Sequence, residues 1–236
     1  MSIQSATAQE PNLIDPPRTT SGKLAGWLVF VGVLTALAYV LNYTVTESKA
    51  EKQKALYEYS TAVSSAFLYA VMAVIVLAIA GRRRDLLALR RPTSWPRSLG
   101  FALAAVLVTG IAVAILDSFL HGGREQGLVP DHWIHAKAGA YAANWIAVAV
   151  IAPFVEELTY RGLGFSLVSA RFGSTPAIFV IGLLFAASHG FLQAFPELAV
   201  LGCVLAWIRS RYDSVFPGML VHCAFNSYAL AAVFWS

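Results

Sequence analysis

Runs of about 20 apolar residues recur along this chain, and a run of that length is what an α-helix needs to cross a bilayer. Residues 24–45, 61–80 and 98–119 are the clearest of them. No water is available in hydrocarbon to satisfy the backbone, so such runs fold as helices. The chain has 236 residues, 58% of them hydrophobic and 13% charged, with mean hydropathy +0.64. A soluble domain carries about 25% charged residues. These features predict an all-α, polytopic membrane helical bundle of about seven transmembrane helices.

Residues 1–23 are polar and hold Pro11, Pro16 and Pro17, which reads as a disordered cytoplasmic tail ahead of a transmembrane helical domain over 24–236. The first apolar run starts too far in, and is too long, for a signal peptide. Six arginines lie between Arg82 and Arg97, between the second and third spans. Cytoplasmic loops collect Lys and Arg, so this loop and the N-terminus are assigned to the cytoplasm. Residues 46–60 then put three lysines outside, against the trend. The net charge of +4 needs no nucleic acid, because membrane topology accounts for it. Cys203 and Cys223 lie in apolar stretches and read as small buried hydrophobes. Residues 120–137 form a polar loop, and its Asp131, His132 and His135 read as solvated rather than as metal ligands. A fourth helix is expected from about Lys137 to Ala170, with a turn at Arg171, Gly173 and Pro176. Three further spans follow at about 175–193, 195–211 and 214–235. Arg171, Arg209 and Arg211 then fall on the cytoplasmic side.

The fourth helix contains FVEELTYRG, with two carboxylates and an arginine inside hydrocarbon. Ionisable groups are costly there and are functional candidates by default. Glu157 and Arg161 are four residues apart, share a helix face and can pair. Glu156 lies about 100° around the helix, over Tyr160, and is left free for chemistry. Two more polar pairs sit at the same spacing, Phe185 with His189 and His222 with Asn226. By position along their helices, Glu156 is near mid-span, His189 to the outer side and His222 to the inner side of its midpoint.

Three motifs in this order, EExxxR (Glu156 to Arg161), FxxxH (Phe185 to His189) and HxxxN (His222 to Asn226), resemble those of the CPBP family. These are intramembrane proteases of the CAAX-protease and bacteriocin-processing (Abi-like, Rce1-type) kind. The resemblance covers roughly residues 100–235. It implies an intramembrane endopeptidase acting on a membrane-associated protein or peptide. It assigns Glu156 as the base that activates water, with His189 assisting. His222 and Asn226 would stabilise the oxyanion, and Glu157 and Arg161 would form a supporting pair. Tyr160 and Phe185 read as packing residues. A base balanced near neutral pH and donors aimed at developing charge are what peptide hydrolysis requires.

No cofactor is favoured. Zinc held by Glu156, His189 and His222 is the alternative, since two His and a Glu suit it. HExxH is absent, so a zincin arrangement is excluded. A serine in a GxSG-like turn and a GxGD motif are also absent, which argues against rhomboid-like and presenilin-like chemistry. A non-catalytic scaffold or bacteriocin self-immunity protein is the competing function. A small-solute transporter would need paired broken helices in two halves, and no such repeat is visible. The expected location is a bacterial inner membrane, with water reaching the site from the cytoplasm.

Overall fold

The computed structural model describes residues 17–45, 49–126 and 132–234. All regular structure among them is helical. α1 (Pro17–Thr44) leads through α2 (Lys49–Ala55) to α3 (Tyr59–Ala80). The arginine loop follows, then α4 (Trp95–Leu120) and the short α5 (Gly122–Gln126). A continuous rod over His135–Phe172 comprises α6 (Ala138–Ile146), α7 (Ala152–Glu157) and α8 (Phe165–Phe172), joined by two π-helical stretches. α9 (Ser174–Ala187), α10 (Phe195–Tyr212) and α11 (Phe216–Ala231) complete the bundle.

The tail expected over 1–23 lies mostly outside the described residues, but 17–23 are already the first turns of α1. Helices stand where all seven spans were expected. Five are long and apolar enough to cross a membrane: Thr20–Thr44, Tyr59–Ala80, Trp95–Leu120, His135–Phe172 and Phe216–Phe234. α9 has 14 residues, about 21 Å of helix against a core of about 30 Å. α10 carries Glu197, Arg209 and Arg211 and is less apolar than the five. These five spans make the chain an integral membrane protein.

Lipid replaces water on the outside of this bundle, so apolar side chains face outward as readily as inward. Val63, Phe67, Leu103, Ile111 and Phe119 are all exposed. Small residues let the helices approach. A Cβ on Gly202 would meet the Gly182 carbonyl oxygen at 2.6 Å, so α9 and α10 pack backbone to backbone there. One residue, Gly173 at φ +83°, turns the chain from α8 into α9, a conformation that favours glycine.

Both π-helical stretches have a local cause or a local remedy. Pro153 has no N–H, and its ring crowds the carbonyl four residues back in a regular α-helix. The helix widens just before it, over Ala147–Ile151, and the Ala152 N–H reaches back to the Ala147 oxygen. That leaves the Val148 carbonyl without a helical donor, and Asn226 Nδ2 supplies one at 2.9 Å. In the second stretch, Leu158–Gly164, the Phe165 N–H bonds Gly162 and Tyr160 and bypasses Arg161. Arg209 Nε donates to the Arg161 carbonyl at 3.0 Å, and Trp27 Nε1 donates to Thr159 at 2.9 Å. π-turns of this kind collect at functional sites.

Candidate active site

Glu157 and Arg161, placed on one face by sequence spacing, are both fully buried and pair at 3.0 Å. The arginine also donates to the Gly202 carbonyl at 2.9 Å and stacks its guanidinium 4.3 Å over the Phe185 ring. Burying two ions costs several kcal/mol each, so they persist only with such added partners. Glu157 has a second partner, His222 Nδ1, 3.2 Å from its Oε1. Its Oε2 rests against α11, where a Cβ on Gly218 would come within 2.8 Å. Glu157 thus ties the rod to α11 through a histidine.

Glu156 faces the other way, as the 100° offset requires. It does not associate with Tyr160, whose hydroxyl donates instead to Ser188 Oγ. Its partner is Tyr69 of α3, whose hydroxyl donates to Glu156 Oε1 at 3.3 Å. His222 Nε2 stands 3.7 Å from Glu156 Oε2, too far for a hydrogen bond and close enough for a charge pair. The two nitrogens of His222 therefore each face one carboxylate of the Glu156–Glu157 pair.

His189 lies just past the end of α9. Its Nδ1 is 2.7 Å from the Phe185 carbonyl. A carbonyl only accepts, so Nδ1 carries the proton, and in the neutral ring Nε2 holds the lone pair. Asn42 of α1 donates to the His189 and Gly190 carbonyls, both at 3.2 Å. Phe185 is fully buried at the centre, in edge contact with Tyr160 at 5.4 Å, His189 at 4.6 Å and His222 at 5.5 Å.

A cavity of about 810 Å³ runs between α4, the rod, α9, α10 and α11. Glu156, His189, His222 and Asn226 all line it, as do Tyr69 and Phe185. Glu157 and Arg161 stand behind its wall. Among the described residues no group of three or more His, Cys, Asp or Glu side chains stands together as a ready metal-ligand set. Asp131 of the polar loop lies outside the described residues, and His135 accepts from Trp133 Nε1 at 3.1 Å.

Tyr69, Trp27 and Asn42 had no signal in the sequence. None of them belongs to the three polar motifs. Arg209, expected at the cytoplasmic end of its span, is 5% exposed and completes the second π-helical stretch.

Fold and site together define an integral membrane protein with a polar Glu–His–Asn wall facing an internal cavity. Residues 138–228 match the family model described as type II CAAX prenyl endopeptidase Rce1-like. All three motifs fall within that segment, which is thus similar to the CAAX-type proteases that the motifs resemble. Comparison with curated proteins and with solved structures finds no match.

Proposed function

We propose that this protein is an intramembrane endopeptidase that hydrolyses a peptide bond of a membrane-associated protein or peptide. One observation carries the reading: Glu156, His189, His222 and Asn226, from three separate helical segments, line one cavity. A scaffold or immunity protein has no need to gather those groups on one wall.

Water is deprotonated by Glu156, whose carboxylate is oriented by the Tyr69 hydroxyl. The Nε2 lone pair of His189 assists. The water oxygen adds to the scissile carbonyl carbon, and the developing oxyanion receives hydrogen bonds from His222 Nε2–H and Asn226. The step needs His222 with a proton on Nε2, while its Nδ1 stands 3.2 Å from Glu157 Oε1. Asn226 has one amide hydrogen committed to Val148 and the other for substrate. Glu156 then returns its proton to the leaving nitrogen as the C–N bond breaks. Donors fixed in advance in a dry site act more strongly than in water. The step is written with the side chains that line the cavity.

The test mixes purified protein with detergent-solubilised membranes from cells lacking it and reads new protein termini by mass spectrometry. Wild type is expected to generate new C-termini, with or without a zinc chelator, and Glu156→Ala to generate none. Termini that appear equally with both proteins would overturn the reading. Loss of activity in chelator, restored by zinc, would replace the metal-free step with the zinc one.

A further inference from the structure

The bundle has two chemically distinct faces. On one, the arginine loop is tied to the α10–α11 turn: Thr93 N–H bonds the Tyr212 carbonyl at 3.2 Å, and Ser214 Oγ bonds the Arg90 carbonyl at 2.6 Å. Lys23 and Arg171 lie on this side too. On the other face, Glu125 of α5 accepts the backbone N–H groups of Leu192, Gln193 and Ala194 at 3.0, 2.7 and 2.9 Å. Tyr43, at the end of α1, donates to the same carboxylate at 3.0 Å.

The cavity belongs wholly to the half of the bundle away from the arginines. On α4, which leaves the arginine loop at Trp95, it is lined only from Val106 to Asp117. On α11, which starts on the arginine side at Phe216, lining begins at His222. On the rod, which runs toward the arginine side, lining ends at Glu156. Toward the arginines the interior is closed. Arg161, Leu163 and Leu167 are fully buried, Arg209 bridges behind them, and Gly162 sits against the Leu87 backbone. Toward the other face the wall turns polar, with Asp117 and Gln126 partly exposed and Glu197 buried beside them. A partly exposed carboxylate marks a water-facing end, since a carboxylate in a dry apolar end would be costly.

Lys and Arg concentrate on cytoplasmic loops. With the arginine face in the cytoplasm, the cavity is closed to that side. We propose that the cavity takes water and substrate from the non-cytoplasmic face, and that its substrate is a peptide segment at the outer end of a membrane anchor. This reverses the cytoplasmic water path expected from the sequence, and its substrate half rests on the endopeptidase reading above.

Access can be measured without any substrate. Val113 is half-buried, lines the cavity, and lies about 10 Å of helix below the end of α4. In a Cys203→Ala, Cys223→Ala background, Val113→Cys is treated with a membrane-impermeant, negatively charged methanethiosulfonate, then quantified with a maleimide after denaturation. Arg91→Cys marks the arginine face. The expected result in spheroplasts is loss of maleimide labelling at Val113→Cys and none at Arg91→Cys, with the reverse in inside-out vesicles. Protection of both positions from the same side would overturn the proposal. So would a Val113→Cys that reacts from neither side. In cells, termini that depend on Glu156 should map to the outer ends of membrane anchors; termini in cytoplasmic tails would contradict the substrate assignment. If no terminus depends on Glu156, the endopeptidase reading fails, and the labelling still decides which face the cavity serves.

Discussion

Glu156 and Glu157 are neighbours in sequence with opposite surroundings. Glu157 is fully buried between Arg161 and His222, whereas Glu156 reaches the cavity with Tyr69 as its hydrogen-bond donor. Glu157→Gln leaves Arg161 buried without its charge partner, a change that costs about 3–5 kcal/mol. Its expected result is a clear drop in melting temperature in detergent together with lost activity. Glu156→Gln should lose about 10²–10⁴-fold in rate, the scale of general-base catalysis, with little change in melting. Equal melting and equal loss of activity in both variants would contradict this division. Tyr69→Phe removes one hydrogen bond to a carboxylate, worth about 1.5 kcal/mol or roughly ten-fold in rate. An unchanged rate in that variant would remove Tyr69 from the site. Both acids and both histidines were legible in the sequence because a charged or polar residue in an apolar run stands out. Tyr69 was not, since a single tyrosine in such a run is also an ordinary packing residue.

At the scale of elements, the rod is the part where local geometry and function meet. Helical spacing identified the Glu157–Arg161 pair, but the widened turns are invisible to a 3.6-residue pattern. They come from Pro153 and from close approach of neighbouring helices. Their freed carbonyls then recruit Asn226 and Arg209, residues distant in sequence. For the same reason the role of Arg209 was not legible: the Arg161 carbonyl it serves is freed only by the widened turn. α9 and α10 make the second structural demand. Gly182→Val should destabilise by about 1–3 kcal/mol, because a Cβ there would lie 2.7 Å from the Cys203 backbone nitrogen and helix backbones cannot give way as side chains do. Thermal melting checks it, and a variant that melts like wild type would show that the two helices can separate without cost.

The whole molecule has one face of arginines, one closed half and one half with a cavity. The class of fold followed from apolar run length, and the position of the cavity did not, because cavity walls combine residues from several helices distant in sequence. The number of long apolar spans also differs from the expected seven, since α9 is short and α10 carries three charges. On the arginine face, burial pushes the Asp213 carboxyl up, but hydrogen bonds from Arg90 and Arg209 outweigh it and hold it below the usual range. A group lowered in the folded state stabilises above its unfolded pKa, and that contribution is lost as pH falls through the lowered value. Wild type should therefore lose melting temperature below about pH 4 more steeply than Asp213→Asn, by under about 1 kcal/mol because the side chain is largely exposed. Parallel melting curves would show that the Arg90–Asp213–Arg209 cluster does not stabilise the fold.

The central claim is that Glu156 hydrolyses peptide bonds inside this bundle. It is tested most directly by comparing the termini of membrane proteins in cells that carry wild type or Glu156→Gln at equal expression. Termini present with wild type and missing with Glu156→Gln are predicted, and they would identify the substrate. Identical termini, with Glu156→Gln still rescuing whatever a deletion loses, would contradict the claim and make this a non-catalytic membrane protein.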